Sequence, residues 1–221
     1  MKARSTKTRN FKIILTIILV VAISIIWYYS YKNYYYVTTE DAQVTGEIYK
    51  IAAKVPGKIE QFSLEEGTQV RMNQVVSRLE QVNANNISSL ENMIVRSPID
   101  GVIIQKLANQ GEIVGAGNPL ALVMNKATLY IQANIEETKA GYVKAGQPVE
   151  IRLDMFPGHV YQGKVEYVGE ATQSTFSLLP RTNAGGSFTK VTQRIPVKIS
   201  FVQQAFHFTP GSNATVTILV R

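Results

Sequence analysis

The 221-residue sequence has no cysteine, so disulfides, thiol catalysis, thiolate metal sites and a lipid-modified cysteine anchor are excluded together. Histidine is nearly absent as well. His159 and His207 are the only two, and neither has a partner at metal-ligand spacing. Gly185-Gly186 lacks the following Lys-Ser/Thr of a phosphate-binding loop, which argues against nucleotide binding. Glu65-Glu66 and Glu136-Glu137 are adjacent pairs, and neighbours on a strand point to opposite faces, a poor arrangement for an acid/base dyad. These absences predict a protein that is not an enzyme, with no catalytic, cofactor or metal site.

A surplus of charge is also missing from most of the chain. The formal net charge is +7, but Lys2, Arg4, Lys7, Arg9 and Lys12 supply five of those charges, leaving about +2 on the other 209 residues. That is too little for an electrostatic footprint on a nucleic acid. A hydrophobic fraction of 45% with 18% charged residues describes a folded chain.

What is present begins with an apolar run over residues 13–31. Nineteen helical residues span roughly 28 Å, close to the hydrocarbon thickness of a bilayer. The basic residues before it predict a cytoplasmic tail over 1–12, and Trp27, Tyr28, Tyr29, Tyr31, Tyr34, Tyr35 and Tyr36 suit the membrane interface. The run exceeds the h-region of a signal peptide and no small-x-small motif follows, so an uncleaved single-pass anchor is expected, with the bulk of the chain outside the cytoplasm.

Residues 55–124 contain one pattern written twice. Val55-Pro56-Gly57-Lys58-Ile59 recurs 44 positions later as Ile99-Asp100-Gly101-Val102-Ile103, and Glu66-Gly67-Thr68-Gln69-Val70 recurs as Gln110-Gly111-Glu112-Ile113-Val114. The four glycines, Gly57, Gly67, Gly101 and Gly111, are expected to be structural turns where an extended chain reverses through positive φ. Apolar alternation between them suits short half-buried strands. Each copy reads as strand, turn, strand, turn, strand, and two copies packed face to face make a small sandwich near the lower size limit for an independent core.

These paired units, with Ser97-Pro98-Ile99-Asp100-Gly101, resemble the two halves of the biotinyl/lipoyl-like domain of HlyD/EmrA-type membrane fusion proteins, the periplasmic adaptors. Thr39-Glu40-Asp41-Ala42-Gln43-Val44 is similar to the family's run into the first half, and Pro210-Gly211-Ser212-Asn213-Ala214-Thr215-Val216-Thr217-Ile218 to its last barrel strand. The expected fold is mainly β, with a transmembrane helix at 13–31 and a linker at 32–44. A lipoyl-like sandwich follows at 45–124, with halves 45–80 and 93–124, and then a small antiparallel β-barrel at 125–221. Leu129 to Ile135, Gly146 to Leu153, Tyr161 to Val168, Thr192 to Val202 and Thr215 to Val220 supply barrel strands, about six in all.

Most adaptors of the family carry a coiled-coil hairpin between the halves. Here only residues 81–92 lie there, a polar stretch that gives each leg roughly 9 Å of helix at most. The resemblance is therefore to a short form, and docking to an outer-membrane channel is doubtful. A single-membrane cell and an engineered shortening both explain this; the polar junction without a fusion scar favours the first.

Ser174-Thr175-Phe176-Ser177-Leu178-Leu179-Pro180, continuing from Asn183 to Val197, is similar to the EmrA branch, the adaptors of major-facilitator drug exporters. Phe176, Ser177, Leu178, Leu179 and Pro180 form an apolar patch in a polar loop. They are expected either to contact a partner or to plug the barrel. The resemblance implies an inner-membrane exporter as partner, of major-facilitator type or possible ABC type, and a homo-oligomer stacked through the lipoyl-like module. Two other readings stand beside it: an envelope scaffold without a transporter, and a lipoyl or biotinyl carrier domain. The carrier reading needs a lysine between the halves, and residues 81–92 have none.

Overall fold

No proline or glycine interrupts residues 4–35, and in the computed structural model they form one helix, α1 (Arg4–Tyr35). The structure describes residues 4–80, 90–176, 192–203 and 208–221. Within α1, Leu15–Tyr35 is long and apolar enough, by length and composition, to cross a membrane, with a mean hydropathy of 1.6. The helix outlasts the expected 13–31 span at both ends. Tyr31 and Tyr35, one turn apart, pack with tilted rings whose centroids are 4.4 Å apart, a contact that supports the helix as far as residue 35. There Tyr36-Val37-Thr38-Thr39 brings in β-branched residues, and the chain passes directly into strand β1 (Tyr36–Thr45).

Residues 32–44 were expected to be a linker, and this is corrected. β1 is a full member of a closed six-stranded barrel, pairing with β10 (Tyr130–Glu136) on one side and β14 (Asn213–Leu219) on the other. Around the barrel the order is β1, β10, β13 (Arg194–Phe201), β12 (Tyr161–Val168), β11 (Pro148–Leu153), β14, every pair antiparallel. The barrel thus takes one strand from the front of the chain and five from the region after residue 125. Its interior is filled by side chains at 0% exposure, among them Val44, Ile131, Ile151, Ile199, Val216 and Ile218. Each contributes about 1.5–3 kcal/mol by leaving water.

A bulge in β1 between Thr39 and Ala42 hides its period from sequence reading. Val37 points inward, then the phase shifts so that Ala42 and Val44 point inward. Asp41, at the bulge, accepts a hydrogen bond from Asn134 Nδ2 at 3.0 Å and pairs with Arg194, tying three neighbouring strands together. Both charged side chains are 44% exposed. Asp41→Ala is accordingly expected to cost no more than about 1 kcal/mol, read as a lowered urea midpoint with unchanged slope.

The repeat forms a sandwich of two four-stranded sheets, but neither sheet is one half-motif. The first half supplies β3 (Gly57–Phe62), β4 (Gln69–Val70) and β5 (Val75–Glu80), and the second supplies β7 (Gly101–Lys106), β8 (Ile113–Val114) and β9 (Pro119–Met124). With β2 (Ile48–Ala52) and β6 (Ile94–Arg96), the sheet orders are β2-β9-β7-β4 and β6-β5-β3-β8. Each short middle strand crosses to the other half's hairpin: β4 pairs with β7, and β8 with β3. The expectation that one copy packs face to face on the other is corrected to this exchange.

The 44-residue offset is kept down to single hydrogen bonds. Gly67 N–H donates to the Ile103 carbonyl and Gly111 N–H to the Ile59 carbonyl, both at 2.8 Å. Asn73 N–H reaches the Ser97 carbonyl at 2.9 Å and Gly117 N–H reaches that of Ala53 at 2.8 Å. The two halves therefore have the same backbone geometry despite little shared side-chain identity. A separate core holds them, with Ile59, Leu120 and Val123 at 0% exposure.

Candidate partner interface

The four glycines do two different jobs. Gly67 and Gly111 have φ of +86° and +89°, as expected of turns that need glycine. Gly57 and Gly101 do not have positive φ; they open strands β3 and β7 beneath a neighbouring backbone. A Cβ on Gly57 would lie 2.7 Å from the Glu80 carbonyl oxygen, and one on Gly101 2.5 Å from that of Met124. The expectation of four reversal turns is corrected for these two.

Of the expected contact patch, Phe176 ends a short 3-10 turn, Gln173–Phe176. Ser177, Leu178, Leu179 and Pro180 lie outside the described residues, as does His207. The flanks of the patch can be placed. Since β1 enters the barrel at the α1 end, the antiparallel order puts the end of β12 and the start of β13 at that same end. Ser174 and Gln193 meet there, the Ser174 hydroxyl donating to Gln193 Oε1 at 2.5 Å, and the Gln193 carbonyl accepts from Glu137 N–H at 2.9 Å. Ser174 and Gln193 thus lie beside α2 (Glu137–Ala140), on the side of the barrel that faces α1.

At the opposite end, residues 46–47 and 125–129 join barrel to sandwich. Asn125 Oδ1 accepts from Ala127 N–H at 2.8 Å and shapes the second crossing. Between the two units lies an open cleft of about 470 Å³, lined by Glu47, Tyr49, Tyr130, Glu166, Lys198 and Phe201 among others. Lys198 Nζ donates to Glu166 at 3.0 Å and lies 4.6 Å from the centre of the Tyr130 ring. The Glu166 hydrogen bond raises the ammonium above its ordinary pKa, with partial burial opposing. Tyr49 donates to Glu47 at 2.8 Å, and that bond pushes the phenol up as well.

The residues lining the cleft come from both units, so it is suited to positioning the sandwich against the barrel. Among the described residues no group of three or more His, Cys, Asp or Glu could hold a metal ion. His159 stacks against Tyr161 at 6.5 Å in the loop between β11 and β12. Sequence reasoning missed the Lys198, Glu166 and Tyr130 cluster, because its members come from three strands and share no local motif.

Residues 129–218, nearly the whole barrel apart from β1, match the YknX-like beta-barrel domain family. The chain is 37% identical over 183 residues to YhbJ of Bacillus subtilis, provisionally named an efflux system component, covering 83% of this chain and 79% of that one. It belongs to the EmrA/HlyD-type membrane fusion protein family. This membrane fusion protein is also 34% identical over 136 residues to the multidrug export protein EmrA of Haemophilus influenzae, covering 60% of its own length and 35% of EmrA's. It thus spans about a third of that relative's length. Among solved structures, the membrane fusion protein Spr0693 of Streptococcus pneumoniae superposes with a TM-score of 0.61 at 12% identity, over 84% of this chain and 99% of the other, which shows the shared fold.

Proposed function

We propose that the chain is the membrane-anchored, non-catalytic adaptor of an exporter of major-facilitator type. Its amino terminus lies in the cytoplasm, and its barrel and sandwich stand outside. The observation that carries this reading is the similarity to EmrA multidrug export proteins, together with the 174–197 run that resembles the EmrA branch. Ser174 and Gln193 at the α1 end support it, because a partner embedded in the same membrane meets that end of the barrel first. Copies of the chain assemble side by side through the sandwich, and drugs or other toxic amphiphiles are the cargo. With twelve residues between the halves, no reach toward an outer-membrane channel is part of the proposal.

Co-purification with a multi-span transporter encoded beside it is the direct test. Capture of that transporter should fall about tenfold when Phe176, Leu178 and Leu179 are all replaced by serine, in line with loss of an apolar anchor. Deletion of the chain with no change in efflux of any amphiphile would remove the proposal.

A further inference from the structure

The foot of the barrel carries a cleft of mixed polar and apolar lining that the adaptor reading does not use. It measures about 370 Å³ and lies between the last turns of α1 and α2, with Ser30, Asn33, Lys139 and Arg221 among its lining residues. Its centre is Arg221, held between two rings: the guanidinium lies 4.1 Å from the centre of Tyr34 and 4.7 Å from that of Tyr142. Val220 N–H donates to the Tyr35 carbonyl at 2.9 Å, and the Gln147 amide donates to the carbonyls of Val220 and Tyr142 at 3.2 and 3.1 Å. The residue before the arginine is thereby fixed through both its N–H and its carbonyl. It makes no ion pair among the described residues.

Two rings in contact with a guanidinium hold it by its charge and do not use its N–H donors as hydrogen bonds to an anion would. A planar fork of that kind matches a phosphate. The nearby charges are mixed: Lys139 is paired with Glu136 at 3.3 Å, Glu137 is its neighbour on α2, and Lys144 is exposed just beyond. Depth decides which phosphate. No residue separates α1 from β1, so the barrel foot can sit no farther from the bilayer than the tyrosines that end the helix. Those rings occupy the headgroup level.

We infer that the cleft between α1, α2 and Arg221 binds the phosphate of an anionic phospholipid in the leaflet on which the barrel stands. The inference rests on α1 spanning the bilayer, and on no claim about an exporter. A lipid held there fixes the tilt of the barrel on the membrane, because one phosphate then bridges the anchor helix and the barrel floor.

The test reconstitutes the full chain with equal amounts of phosphatidylglycerol and phosphatidylcholine and counts retained lipids by native mass spectrometry. Phosphatidylglycerol should be retained preferentially, and Arg221→Gln should reduce that retention roughly tenfold, as loss of one charge-assisted pair predicts. Lys58→Gln on the sandwich should leave it unchanged. Tyr142→Leu removes one clamp ring and should weaken retention even if Arg221→Gln fails to fold. Equal retention of the two lipids, or of phosphatidylglycerol by wild type and both variants, overturns the inference. Displacement of the lipid by inorganic phosphate alone reveals a free-anion site and overturns it too. Failure to insert into any vesicle overturns it together with the anchor reading.

Discussion

Gly101→Ala is expected to destabilise the sandwich by about 3 kcal/mol or more, a large part of what a small domain possesses. The added methyl would meet the Met124 carbonyl oxygen at 2.5 Å and its carbon at 2.9 Å. Neither is the end of a flexible side chain. Both belong to β9, whose Leu120, Ala121 and Val123 are at 0% exposure, so relief requires moving a core strand. Gly57→Ala should behave alike, since its methyl meets the Glu80 carbonyl at 2.7 Å. Gly67→Ala and Gly111→Ala meet nothing within 4 Å and should cost only the left-handed strain, about 1–2 kcal/mol.

The measurement is chemical denaturation of the full chain in detergent, followed by far-ultraviolet circular dichroism. Tryptophan fluorescence is a poor probe, because Trp27 is the only tryptophan and belongs to α1. A loss for Gly101→Ala no greater than that for Gly67→Ala would contradict the close approach.

A chain beginning at Gly46 is expected to lose the barrel altogether, while one beginning at Tyr36 keeps it. Without β1, strands β10 and β14 become open edges, and the sites of Val37, Ala42 and Val44 stand empty. Burial of the two valines alone is worth about 3–6 kcal/mol. The unpaired backbone of two edges and the exposure of Ile131 and Ile218 add to that, reaching the 5–15 kcal/mol that holds a typical domain together. Amide hydrogen exchange in β10 and β13 reports the outcome. Protection there that is equal in both chains would show that β1 is dispensable, as a linker would be.

Both results probe features that sequence reading described only in part. The doubled glycine pattern was legible because the two halves need the same backbone path, and only a few residue types allow it. The reason for each glycine was not. Positive φ at Gly67 and close approach at Gly101 leave the same letter in the sequence. In sequence β1 reads as a linker because its bulge breaks the two-residue period at Thr39–Ala42, and because its partners β10 and β14 lie far along the chain. The strands after residue 129 are readable because most alternate unbroken, as Ile131, Ala133 and Ile135 do; β12 has a bulge at Val165–Tyr167, but only near its end, after Gly163 and Val165 have set the period.

The candidate surfaces divide in the same way. The 176–180 patch was visible as apolar residues in a polar loop, although most of it lies outside the described residues. Arg221 between Tyr34 and Tyr142 was invisible, because nothing local links residues that far apart. By itself the sequence determined the apolar anchor, the twin half-motifs and the alternation of the barrel strands, since these are periodic properties of adjacent residues. Tertiary structure alone decided the exchange of β4 and β8 and the closing of the barrel by β1. It also brought Arg221 to the end of α1, because pairing partners and clefts depend on which distant segments complete each other's hydrogen bonds and cover each other's apolar faces.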